Sequence, residues 1–209
     1  MSTETILIAF GLTLVAGLST GIGSMLAFFT KRTNTKFLAT SLGFSAGVMI
    51  YVSFMEMMPQ AKLNLIESFG DRIGTFYLLL AFFGGMGMIT IIDFLIPEDK
   101  NPHEMHNVEE LSKKQTGLKK TGMLVALSIG IHNFPEGIAT FTSALNSMEI
   151  ALPITAAIAI HNIPEGIAVS VPIYQATGNK KKAFWLSFLS GMAEPVGALF
   201  GFLILLPFW

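Results

Sequence analysis

Eight residues occur twice in this chain: His132-Asn133-Phe134-Pro135-Glu136-Gly137-Ile138-Ala139 and His161-Asn162-Ile163-Pro164-Glu165-Gly166-Ile167-Ala168. One position differs, Phe134 against Ile163. Each copy lies in a long apolar stretch with no other ionisable residue close by. On a helix, a histidine and a glutamate four residues apart share one face, one turn apart. Pro135 and Pro164 lack an N–H, so the carbonyls of Ile131 and Ile160 lose their helical partners. A kink is expected at each proline, turning backbone polarity inward. Membranes tolerate this where neighbouring helices, water or a cavity satisfies the freed carbonyl.

Such residues at mid-membrane depth need a partner. A charged side chain there costs ~2.5–3.5 kcal/mol on insertion scales, and two carboxylates brought together repel. A divalent cation removes both penalties. Neutral imidazole and carboxylate suit zinc, iron, manganese and related ions. A third segment, Ala193-Glu194-Pro195, again places a carboxylate beside a proline. Glu194 is placed to complete a second ion position with Asn133 and Asn162, with Glu136 or Glu165 bridging. A single His–Glu pair would read as a structural hydrogen bond, and a single proline as architecture. The doubled phrase and the third Glu-Pro favour an ion. Labile Asn and Glu ligands on kinked, glycine-flanked helices suit binding followed by release.

The elements that position these residues follow from composition. The 209 residues are 52% hydrophobic and 13% charged, against about 25% charged in a soluble domain. Apolar runs of about 20 residues recur, long enough to cross a bilayer as helices. The fold class is therefore all-α, a polytopic transmembrane helix bundle. A membrane β-barrel would show ~10-residue alternating segments instead. Six spans are predicted as a single transmembrane domain, at about 6–29, 38–60, 73–96, 122–145, 151–174 and 183–207. Residues 97–121 form the one long polar segment, read as a flexible loop. There is no cysteine, which excludes disulfides, thiolate ligands and a catalytic thiol. No basic patch with interleaved aromatics points to nucleic acid.

Basic residues set the orientation. Lys31, Arg32 and Lys36 follow span 1, and Lys100, Lys113, Lys114, Lys119 and Lys120 follow span 3. Lys180, Lys181 and Lys182 follow span 5, leaving only Lys62 and Arg72 on the opposite side. The positive-inside rule puts the loops after spans 1, 3 and 5 in the cytoplasm and the N-terminus outside. Met1 to Thr5 lack the basic start of a cleaved signal peptide, so the first span is expected to stay.

Weaker candidates lie along the path into or out of the site. Glu56, near the outer end of span 2, reads equally as an interfacial carboxylate or a group on the way in. Met49, with Met55, Met57 and Met58 nearby, offers soft sulfur, though methionine more often fills packing gaps. Asp93 reads as a solvated helix-end residue or a ligand on the way out. His103 and His106 in the polar loop would hold metal only loosely. Small residues along span 1 (Gly11, Gly17, Ser19, Gly21, Gly23, Ser24) suit close helix packing, and Gly84, Gly85 and Gly87 in span 3 would allow a homodimer.

At these residues the chain resembles the ZIP (Zrt/Irt-like) family of divalent metal transporters. The likeness rests on the doubled His-Asn-x-x-Glu-Gly pattern and the Met55-Glu56-Met57-Met58-Pro59 end of span 2, and it extends over the whole chain. The wording is most similar to a bacterial broad-specificity branch. The resemblance implies uptake of zinc, and of iron, manganese, cobalt or cadmium, across the bacterial cytoplasmic (inner) membrane. It implies a first metal position at His132, Glu136, His161 and Glu165. The adjoining second position falls on Asn133, Asn162 and Glu194, with Glu136 and Glu165 shared. Some members carry an acidic residue where Asn162 stands, so a neutral amide is expected to weaken the second position. The family has eight spans in a 3+2+3 arrangement, its outer threes related by inverted symmetry, and works by alternating access. Six spans are read here, so spans 7 and 8 are expected to be missing from this sequence.

Two other functions are alternatives, of which the first fits less well. A membrane-embedded metal-dependent hydrolase needs an open coordination position and a general base. The spacing here is His-x-x-x-Glu rather than His-Glu-x-x-His. A metal-selective channel shares every sequence feature with a carrier. The expectation is a non-enzyme, with no cofactor apart from transported divalent metal ions, in the lipid bilayer.

Overall fold

A computed structural model describes residues 2–29, 35–95 and 118–205. Among these the fold is all-α. The helices are α1 (Thr3–Phe29), α2 (Thr35–Val52), α3 (Met58–Phe69), α4 (Asp71–Leu95), α5 (Leu118–Asn146), α6 (Met148–Thr177), α7 (Lys180–Gly191) and α8 (Ala193–Leu205). Among the described residues, five stretches are long and apolar enough to cross a membrane: Thr3–Leu26, Ala39–Phe69, Asp71–Ile91, Met148–Val171 and Lys180–Ile204. The remaining predicted span, the fourth, is α5, diluted by Lys119, Lys120 and the His132, Asn133, Glu136 set.

Two prolines shape the helices in ways the predicted boundaries miss. Pro59 was expected to close span 2, yet the helix runs on to Phe69. Pro59 deprives the Met55 carbonyl of a partner, and the chain absorbs this with a π turn at Ser53–Met57, where the Met58 N–H bonds the Ser53 carbonyl. The predicted sixth span is divided into α7 and α8 at Met192. Pro195 cannot donate to the Gly191 carbonyl, and the break falls just after Gly191. By contrast, α5 and α6 stay helical through Pro135 and Pro164. The first residues of α5, from Leu118, lie in what was expected to be flexible loop. The rest of that loop, with His103 and His106, lies outside the described residues.

α6 is the central helix. It packs chiefly on α1 and α5, then on α2 and α7, while α8 packs on α5. Ser147 caps α6 by accepting from the Glu149 N–H, so α5 and α6 are joined by a tight turn. α4 packs on α3 and, through Phe82 against Phe54, on the π turn. Three apolar clusters fill the bundle. The one nearest α2 joins Ala16, Val52, Ile154, Ala157 and Ile158, with Met49 and Met57 packed against it.

Contacts around the doubled phrase come in matched pairs. The backbone of Thr20 on α1 lies where a Cβ on Gly166 would stand, and the backbone of Glu194 on α8 lies where a Cβ on Gly137 would stand. Asn162 donates to the Ala16 carbonyl at 2.9 Å, and Asn133 has the Ser190 carbonyl within 3.3 Å. Between the pairs, Gly17 and Gly191 meet each other: a Cβ on either would sit 2.6 Å from the other's carbonyl oxygen. α1 thus docks on α6 as α7–α8 dock on α5, an approximate two-fold relation through the Gly17–Gly191 crossing. The glycine after each phrase's glutamate is where another helix crosses it.

Candidate metal centre

α5 supplies His132, Asn133 and Glu136, α6 supplies His161, Asn162 and Glu165, and α8 supplies Glu194 in its first turn. One ligand atom each from His132, His161 and Glu165 lies within 4.8 Å of the others. Glu136 Oε1 joins them, 3.3 Å from His132 Nε2 and 3.8 Å from His161 Nε2. The two imidazole rings stand 5.8 Å apart, centroid to centroid. Both rings and both carboxylates of the doubled phrase therefore face one small volume between α5 and α6.

Asn133, Asn162 and Glu194 form the adjoining wall, all fully buried. Asn162 donates its amide to Glu194 Oε1 as well as to the Ala16 carbonyl. Asn133 links the two halves. Its Nδ2 donates to Glu165, lying 3.1 and 3.2 Å from the carboxylate oxygens, and has the Ile129 carbonyl at 3.3 Å.

The region is short of hydrogen-bond donors. Among the described residues, both oxygens of Glu136, Glu194 Oε2, Asn162 Oδ1 and His161 Nε2 are buried without a hydrogen-bond partner. A buried polar atom left unsatisfied costs about 1–3 kcal/mol. Isolated orphans of this kind are usually strain or hidden water. Here most are lone-pair oxygens gathered around one volume, and a cation coordinated by them would satisfy several at once. Hydrogen bonds between membrane helices average only ~0.6 kcal/mol, so the Asn162 bonds matter more for placement than for stability.

One participant carries no signal in the motif. Ser45 on α2 is buried, and its Oγ lies 2.5 Å from His161 Nδ1. The hint in the sequence was the stripe Ser45, Val48, Met49 and Val52, one helix face on which a serine interrupts apolar residues. Met49, half-buried on that stripe, packs against the apolar cluster. Glu56 is half-buried within the π turn and is not part of the converging set. Asp93 lies near the end of α4, and its side chain is outside the described residues.

A polar recess of about 300 Å³ opens beside the turn between α5 and α6. Gln60, Asn64, Thr142, Ser143 and Asn146 line it. Its α5 wall continues the face that carries Glu136 and His132, since Ala139, Ser143 and Asn146 follow at helical spacing. Ile154 sits at its floor and belongs to the apolar cluster under α2.

A family model described as ZIP Zinc transporter matches residues 96–206, more than half of the chain and the part that holds both phrases and Glu194. The chain belongs to the ZIP zinc transporter family. It is 60% identical over 199 residues to a protein named Zinc transporter ZupT from Streptococcus mutans, covering 95% of this chain and 75% of that protein. It is 60% identical over 208 residues to Zinc transporter ZupT from Lysinibacillus sphaericus, covering 97% of this chain and 77% of that protein. Zinc transporter ZupT of Clostridium perfringens is 55% identical over 218 residues, covering 97% and 76%. The resemblance to the ZIP family read from the motifs thus extends along nearly the whole sequence. The chain is a multi-pass membrane protein of that family.

Proposed function

We propose that this chain transports zinc into the cytoplasm across a bacterial cytoplasmic membrane. Membership of the ZIP zinc transporter family and the names of its relatives support zinc as the substrate. The observation that carries the reading is the meeting of His132, His161 and Glu165 ligand atoms within 4.8 Å, with Glu136 beside them, inside an apolar helix bundle. The donors are all nitrogen and oxygen, which also accept iron, manganese, cobalt and cadmium. These ions are proposed as further substrates.

Two adjoining ion positions are proposed. His132, Glu136, His161 and Glu165 make the first. Asn133, Asn162 and Glu194 make the second, sharing Glu136 and Glu165. An ion passing from one to the other exchanges imidazole for amide and carboxylate oxygen. Movement is proposed as alternating access. α1, α5, α6 and α7–α8, locked together at glycine crossings, would rock against α2, α3 and α4. The basic residues favour an outside N-terminus, with the loops after spans 1, 3 and 5 in the cytoplasm. The polar recess beside the α5–α6 turn then faces outward and serves as the inlet.

Zinc flux into liposomes containing the purified chain tests this. Saturable uptake that is lost in His132→Ala and Glu165→Ala is expected. Normal uptake by both variants, in correctly folded protein, would sink the assignment. Rapid unitary conductance in a planar bilayer would replace the carrier by a channel.

A further inference from the structure

The two histidines are equivalent in the repeat but not in their surroundings. The His132 side chain is 38% exposed, against 17% for His161. His161 Nδ1 is held at 2.5 Å by Ser45 Oγ. His132 meets Glu136 Oε1 through Nε2 at 3.3 Å, and its Nδ1 has no hydroxyl partner among the described residues. Ser45 lies at 1% exposure on a helix whose flanking residues, Phe44 and Ala46, are exposed. It is therefore buried because it faces α6, on the same stripe as Val48, Met49 and Val52.

We propose that Ser45 is a positioning residue of the ion site, holding the His161 ring so that Nε2 faces the ion. This rests on the metal-site reading above. An imidazole binds metal through one nitrogen, and the other nitrogen's hydrogen bond fixes which one. When His161 Nδ1–H donates to Ser45 Oγ, the lone pair sits on Nε2. That atom is buried, lacks a hydrogen-bond partner and stands 3.8 Å from Glu136 Oε1. The contact also ties a ligand on α6 to α2, which lies outside the glycine-locked bundle. Ser45 thereby makes His161 the preset ligand, while His132 adjusts to the ion.

The test uses the full chain in lipid nanodiscs. Zinc affinity is measured by calorimetry, and imidazole ligands are counted by X-ray absorption with cobalt as the probe. Loss of a ligand's hydrogen-bond partner typically weakens metal binding about 10–100-fold. Ser45→Ala is expected to weaken zinc by that factor and to lower the imidazole count. Ser45→Thr, which keeps the hydroxyl, is expected to retain both. On a His161→Ala background, Ser45→Ala should add nothing. The proposal is overturned if Ser45→Ala binds zinc as tightly with the same imidazole count. It is also overturned if Thr behaves like Ala, or if the loss persists without His161. If the unaltered chain binds no zinc, the metal-site reading fails and this proposal with it. Tight binding that Ser45→Ala leaves unchanged defeats this proposal alone.

Discussion

Asn162 donates its side-chain amide to one oxygen of the Glu194 carboxylate, which leaves Asn162 Oδ1 and Glu194 Oε2 without a hydrogen-bond partner among the described residues. The other amide proton goes to the Ala16 carbonyl at 2.9 Å. An aspartate at this position could make neither bond.

Asn162→Asp is therefore expected to set two buried carboxylates against each other and to remove two donors. Unmet buried hydrogen-bonding groups cost about 1–3 kcal/mol each, and the like charges add to this. Without ions the variant should unfold at a lower temperature than the unaltered chain. Zinc should restore it by more than it stabilises the unaltered chain, because a cation answers the added charge. Thermal unfolding with and without zinc checks this. An equal zinc shift in both proteins would mean that Asn162 does not border an ion position.

The sequence made the site legible because its chemistry is costly. A histidine and a carboxylate inside an apolar helix demand an explanation, and their repetition supplied one. Glu194 was found the same way, through its neighbouring proline. Ser45 was not, because a lone serine on a membrane helix is ordinary and its value depends on which ring it faces. The fold was legible as helices, since apolar length alone selects them. The effects of Pro59 and Pro195 were not legible, for the opposite reason. Pro59 was taken as an end, yet a π turn carries the helix past it to Phe69. Pro195 divides the last predicted span just before Glu194. Whether a proline ends, bends or widens a helix depends on what meets the freed carbonyl, which only packing decides.

The glycine after each phrase's glutamate is predicted to be a packing residue. Gly137→Ala would drive its Cβ into the Glu194 backbone, where no flexible side chain can yield. Overpacking of this kind costs about 1–3 kcal/mol or more. The change should also move Glu194, weakening zinc binding together with stability. Gly84→Ala on α4 meets nothing within 4 Å, and its effect should stay within about 0.5 kcal/mol. Thermal unfolding and zinc titration of the pair separate the two roles. Equal behaviour of both variants would remove the crossing argument.

The two histidines should not be interchangeable. His161 is fixed from α2 and more buried, whereas His132 is more open. A glutamine can place one donor atom near the ion but makes a poorer match to a ring held at its far side. His161→Gln should therefore lose more zinc affinity than His132→Gln, by roughly tenfold on the scale of a lost orienting contact. Calorimetry on the two variants measures the ratio. A larger loss at His132 would reverse the roles assigned to the rings.

The absence of native cysteine makes the proposed orientation directly measurable. A single cysteine introduced at an exposed site is the only thiol that a reagent can find. Asn146 is exposed at the α5–α6 turn and lines the polar recess, while Lys181 is exposed at the start of α7. With an outside N-terminus, Asn146→Cys should react with a membrane-impermeant maleimide added to intact cells. Lys181→Cys should react only after the membrane is opened. Ile154→Cys, fully buried beneath the recess, should resist the reagent in both conditions unless the site-bearing helices move. Zinc would then change its labelling rate but leave that of Asn146→Cys alone. Labelling of Lys181→Cys in intact cells would invert the orientation. The recess would then be the outlet, and the same charged site would carry ions the other way.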